Sequence, residues 1–138
     1  AEVGMTDWTA KLHANPEPEV RSMPKARIGL HKGDLCLLPS ARLVDDFIRA
    51  IPKGKAVSLI DMRATLACRH KAAGTCPVHL GYHLRTVAEA ACEARDRGVP
   101  LRSITPVWRV PDEDALTLKK LSLRNAAWIN ERRAKEGL

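Results

Sequence analysis

The sequence predicts a mainly α, winged helix-turn-helix-like single domain with a small β hairpin. Three observations lead there: amphipathic stretches recur between residues 40 and 98, a proline- and glycine-punctuated segment precedes them, and a stretch of β-forming residues ending in a turn follows. A chain of 138 residues holds one hydrophobic core. Its 45% hydrophobic and 28% charged residues are ordinary for a soluble globular protein.

Residues 1–38 contain Pro16, Pro18, Pro24, Gly29 and Gly33 and show no sustained periodicity. They read as an extended N-terminal arm, with a short strand expected between Met23 and Leu38. The folded domain is expected over 39–138. Its first helix follows Pro39 and Ser40, with Leu43, Val44, Phe47, Ile48 and Ile51 on one stripe. Arg42, Asp45, Asp46 and Arg49 take the solvent side, and Pro52-Lys53-Gly54-Lys55 breaks the helix.

A second, shorter helix starts at Ser58 as N-cap, with Asp61 three residues on, and runs through Leu59, Met62 and Leu66 to stop near Gly74. The third opens at Thr75-Cys76-Pro77, where proline suits the first helical position. Leu80, Leu84, Val87, Ala88 and Ala91 form its core stripe, and His79, His83 and Thr86 a more polar face; Gly98-Val99-Pro100 stops it. Between 103 and 118, Ile104, Val107, Trp108 and Val110 have strand composition and Pro111-Asp112-Glu113-Asp114 reads as a turn, so a hairpin or wing is expected. A last helix is expected from about Leu118 to Lys135, with Leu121, Trp128 and Ile129 inward and Lys119, Lys120, Arg124, Arg132 and Arg133 largely outward.

With 23 Lys+Arg against 16 Asp+Glu, the net charge is +7. A positive field of that size favours polyanions, and the absence of a long basic amphipathic helix with bulky apolar residues favours nucleic acid over a membrane surface. No signal peptide or membrane-spanning run is evident, so a cytoplasmic protein is expected, with Cys36, Cys68, Cys76 and Cys92 as free thiols.

Two segments carry a resemblance. Ile51-Pro52-Lys53-Gly54-Lys55-Ala56-Val57-Ser58, followed by Asp61-Met62, resembles the Ile-Pro-x-Gly-x-Val-x-Thr-Tyr-Gly-Asp-Ile-Ala stretch of the alkylguanine-DNA alkyltransferases (the methylated-DNA–protein-cysteine methyltransferase family). Thr105-Pro106-Val107-Trp108-Arg109-Val110 resembles that family's Ile-Pro-Cys-His-Arg-Val active-site motif. The likeness covers roughly residues 40–137 and ends in the Glu136-Gly137 common at the family's last helix. It implies a helix-turn-helix whose recognition helix begins near Pro77.

The departures set the expected function. Val107 stands at the acceptor cysteine position and Trp108 at the histidine position, so alkyl transfer at this motif is not expected. Leu59 and Ile60 stand where the family has its phosphate-turning tyrosine, and Gly81 where it has the arginine that enters the base stack, with Arg85 one turn later. The subgroup this resembles is the alkyltransferase-like repair sensors, which lack the acceptor cysteine. The expected activity is therefore non-catalytic binding of duplex DNA, damaged or alkylated duplexes included, with no cofactor.

DNA contact is expected at His79, His83, Arg85 and Thr86 on the third helix, with Arg69 and Lys71 just before it and Arg109 after the motif. Pro106, Val107 and Trp108 are expected to line a pocket, where Trp108 could stack on an extruded base. The run Cys68-x-His70-x5-Cys76-x2-His79, with His83 one turn on, matches no common zinc spacing and is read as metal-free. Cys76, at the start of the third helix, is the candidate reactive thiol, since a helix N-terminus favours thiolate. Two other readings stay open: a thiol-dependent enzyme using Cys76, and a protein-interaction module that has lost DNA binding.

Overall fold

The computed structural model of the protein describes residues 7–14, 17–111 and 119–138. In chain order its elements are α1 (Trp8–His13), β1 (Glu19–Ser22), β2 (Leu35–Leu38), α2 (Ala41–Arg49), α3 (Leu59–Arg69), β3 (Gly74–Thr75) and α4 (Pro77–Asp96). Two 3-10 turns (Leu101–Ser103 and Val107–Arg109) and α5 (Leu123–Lys135) follow. Helix dominates, so the fold is mainly α, with a small sheet.

The helices begin where their caps require. Ser40 Oγ accepts the Leu43 N–H and Ser58 Oγ the Asp61 N–H, both at 3.1 Å, each satisfying an otherwise unpaired first-turn donor. The stripe Val44, Phe47 and Ile48 of α2 is buried, and α2 packs on α4. Asp45, which the periodicity assigns to solvent, is only 8% exposed: its carboxylate accepts the Thr105 hydroxyl and Arg49 Nε. A bonded carboxylate can be buried where an unbonded one could not.

The 20-residue α4 is the spine of the core, with Leu80, Leu84, Val87, Ala88 and Ala91 buried along it. Pro77 opens it, and Gly98, at φ +78°, supplies the left-handed residue beyond its end. The short α1 also packs on it, an element that the sequence patterns do not announce. Asp7 caps α1 through the Ala10 N–H at 3.0 Å. Glu93 of α4 accepts three more bonds, from Trp8 N at 3.0 Å and from Thr9 N and Thr9 Oγ1 at 2.9 Å.

β1 pairs antiparallel with β2, placing Val20 opposite Leu37, and β2 pairs parallel with β3, placing Leu37 opposite Thr75. The Cys76 N–H donates to Leu37 O at 2.9 Å, so this sheet ends directly at the start of α4. The strand expected between Met23 and Leu38 is β2; β1 lies just ahead of that window.

The hairpin expected from 103 onward is corrected over the described residues: 101–103 and 107–109 are 3-10 turns. Their backbone donors bond locally, Val107 N to Thr105 O at 2.8 Å and Arg109 N to Pro106 O at 3.0 Å, which leaves no ladder to pair. The β-forming composition reflects burial instead, since Ile104, Val107, Trp108 and Val110 are all core residues. The remainder of that expected turn, 112–114, lies outside the described residues, as does Leu118. α5 starts at Leu123 because Ser122 caps it, accepting the Asn125 N–H at 3.2 Å. Among the described residues no helix is long and apolar enough to cross a membrane.

Candidate functional site

The two segments that carry the family resemblance, some fifty residues apart in the chain, meet in space. Arg109 Nη1 donates to Ile51 O at 2.8 Å, and Arg109 O accepts the Val57 N–H at 2.9 Å. Gly54 turns the chain at φ +79°, a conformation side chains resist, and points its N–H at Glu136 Oε1, 3.0 Å away. Glu136, at the C-cap of α5, also accepts Trp108 Nε1 at 2.6 Å and Arg109 Nε and Nη2 at 2.9 and 3.0 Å. The Arg109 guanidinium, with the Gly54 and Trp108 donors, holds the Glu136 carboxyl down to about 2, against the opposing pull of its burial.

Above this junction lies a cavity of about 480 Å³ with Pro106 and Trp108 in its wall. Five cations line it: Arg49, Lys53, Arg102, Arg109 and Arg132. Arg49 is paired with Asp45 at 2.9 Å and Arg109 with Glu136. Lys53, Arg102 and Arg132 have no carboxylate partner among the described residues, and Arg132 Nε is buried with no hydrogen-bond partner. Cations crowded around one opening favour an anion there, although Glu136 lines the same cavity. The chemistry of such a lining suits phosphate or carboxylate.

Trp108 differs from the expected stacking platform. It is 2% exposed, meets Trp128 edge to face at 5.6 Å, and has the guanidinium carbons of Arg132 and Arg109 over its ring at 5.5 and 5.9 Å. No ring face is left for an extruded base; the indole is wall and hydrogen-bond donor. Val107 is buried and does not line the cavity. Arg132 and Arg133, expected largely outward, turn inward: Arg133 donates to Trp108 O at 3.3 Å and Val110 O at 3.1 Å.

The seven residues expected on one DNA-facing surface divide. Arg69 and Lys71 are exposed at the end of α3, Arg69 with its guanidinium 5.2 Å from the Phe47 ring centre and Lys71 at φ 54°. His79 is exposed on the first turn of α4. Arg85 is half-buried between the Trp8 ring, 4.9 Å away, and Glu89 at 3.6 Å. Thr86 is fully buried, its hydroxyl donating to Tyr82 O at 3.3 Å, and His83 is 8% exposed. These two side chains are buried in the core rather than presented to a partner. Burial, reinforced by the His79 and Lys11 charges, pushes the His83 imidazole below its ordinary pKa. Arg109 is committed to Glu136 and Ile51.

Cys76 occupies the N-cap position of α4 but makes no cap bond; its Sγ lies 3.1 Å from His79 Nδ1. The other members of the Cys/His run do not join it. Cys68 is exposed, and His70 Nδ1 faces Leu66 O at 3.0 Å. No group of three or more metal-ligating side chains converges among the described residues.

Sequence reasoning missed Arg49, Lys53, Arg102, Arg132 and Glu136. A signal existed for part of this set: Lys53 sits inside the first resembling segment, and Arg132 and Glu136 are one helical turn apart. In comparisons with known proteins the chain matches no family model, no curated protein and no solved structure.

Proposed function

We propose that the protein binds duplex DNA without catalysis, seating backbone phosphate in the cationic cavity beside Trp108 and Arg109. The observation that carries this reading is the surplus of positive charge there: Lys53, Arg102 and Arg132 face one opening without a carboxylate partner among the described residues. A net charge of +7 adds long-range attraction for a polyanion. The family resemblance of residues 51–62 and 105–110 makes duplex DNA the polyanion of choice, and alkylated duplex the variant to compare. Val107 and Trp108, buried at the motif's reactive positions, offer no thiolate for alkyl transfer.

Phosphate contacts of this kind fix position and carry little sequence information. The reading therefore expects salt-sensitive binding with weak sequence preference. Fluorescence anisotropy with guanine- and O6-alkylguanine-containing duplexes, at two or more salt concentrations, tests it. Replacing Lys53, Arg102 and Arg132 together by Ser, Ser and Gln lowers affinity and reduces the magnitude of the log–log salt slope by about 0.9 for each phosphate no longer neutralised. Wild-type protein that binds neither duplex at low salt, or a triple variant that binds as wild type does, overturns the proposal. Tighter binding to the alkylated duplex supports the damage-sensing form of it.

A further inference from the structure

We infer that Cys76 and His79 form a nucleophilic thiol site that takes a small alkylating electrophile with an apolar body and an anionic group. The pair lies in a second cavity, of about 370 Å³, between the β1 end of the sheet and the start of α4. Met23, Pro24, Ile28, Leu38 and Val78 give it apolar walls. Lys25 and Arg27 stand at its rim with no carboxylate partner among the described residues, beside Arg21, which Glu19 neutralises at 2.6 Å.

Each component contributes to the chemistry. Cys76 Sγ and His79 Nδ1, 3.1 Å apart, are within reach for direct proton transfer, the arrangement that activates a thiol. His79 is exposed and Cys76 half-exposed, so a reagent can reach the sulfur. The first-turn N–H groups of α4 favour negative charge at its N-cap. A second sulfur, Cys36, lines the same cavity but is 3% exposed, and burial first, then the Cys76 charge, push its thiol pKa up, so Cys36 stays protonated. The reactive atom is Cys76 Sγ.

The step is a displacement. The Cys76 thiol proton passes to His79 Nδ1, the sulfur lone pair forms an S–C bond to the electrophilic carbon, and the carbon–leaving-group bond breaks with its electron pair departing on the leaving group. The product is a thioether on Cys76. Lys25 and Arg27 hold the reagent's anionic group, while the apolar walls hold its body.

The chain supplies its own control, because Cys68 is exposed on α3 without a histidine partner among its bonds. Native protein is treated with iodoacetamide and, separately, iodoacetate, and the rate at each cysteine is read by peptide mass spectrometry. Cys76 is expected to react about tenfold or more faster than Cys68, against the order of their exposure. His79→Asn is expected to bring Cys76 down to the Cys68 rate. The Lys25→Ser/Arg27→Ser variant is expected to slow iodoacetate several-fold at Cys76 and leave iodoacetamide unchanged. An unchanged far-ultraviolet circular dichroism spectrum reports that each variant is folded, and an unchanged Cys68 rate that reagent and conditions are the same. Cys68 reacting as fast as Cys76, or His79→Asn leaving Cys76 as fast as before, overturns the site; equal slowing of both reagents by the rim variant overturns the anionic specificity.

Discussion

Trp108 Nε1 donates to Glu136 Oε2 at 2.6 Å, joining the centre of the 105–110 turn to the end of α5. Through the same carboxylate run the bonds from Arg109 and from Gly54, so one side chain, 2% exposed, closes the junction of three chain segments. The cationic cavity stands on that junction.

Glu136→Ala should therefore destabilise the fold by about 3–5 kcal/mol, because it leaves the largely buried Arg109 guanidinium and the Trp108 indole N–H without their acceptor. Urea denaturation followed by tryptophan fluorescence measures this. A cost below about 1 kcal/mol would show that the junction is not held by the carboxylate.

Acid has the same target. The Glu136 carboxyl falls from 4.5 in the ordinary case to about 2 in the fold, so its contribution is complete above pH 4.5 and is lost as pH falls towards 2. Stability should decline across that window in wild type and decline less in Glu136→Gln, read as urea midpoints between pH 5 and 2.5.

His83 gives a second window with its own sign. Its folded pKa lies below the ordinary 6.5, so the unfolded chain binds a proton more readily. Stability should fall as pH drops below about 6.5 and level off beneath the folded pKa. In His83→Gln, melting temperature should vary less between pH 7 and 5. A wild-type melting curve that is flat across this range would contradict the burial of the imidazole.

Asp45 and Asp46, neighbours on α2, should respond differently to alanine. Asp45→Ala removes the acceptor for Thr105 and Arg49 and should cost about 2–3 kcal/mol, whereas exposed Asp46→Ala should change stability by about 0.5 kcal/mol or less. Equal effects in urea denaturation would refute the tie between α2 and the 105–110 turn.

Much of the fold was legible in local signals. Ser40 and Ser58 cap α2 and α3, Pro77 and Gly98 bound α4, and the apolar stripes of α2 and α4 are buried as their spacing requires. What could not be read depends on distant partners. α1 is a six-residue helix held by a carboxylate more than eighty positions away, and no periodicity in Trp8–His13 announces that. The polar stripe His83 and Thr86 on α4 reads as solvent-facing by its residue types, yet the fold buries both side chains. At 104–110 the difference has another physical source. Strand-forming residues there signal burial, while Pro106 and the local hydrogen bonds dictate a 3-10 turn. The resemblance pointed to a pocket at Pro106, Val107 and Trp108, and of these Pro106 and Trp108 line the cationic cavity while Val107 does not. The cations come from α2, the following turn, the 101–103 and 107–109 turns and α5, a convergence that only the tertiary fold creates.

The three bonds that Glu93 accepts from α1 have a consequence for motion. A helix of six residues has almost no stability of its own in water, so α1 exists only while docked on α4. Its opening is a sub-global event, separable from unfolding of the core, and the backbone amides of 10–13 are its reporters. Each opening would uncover Leu12 and the α4 surface beneath it to water.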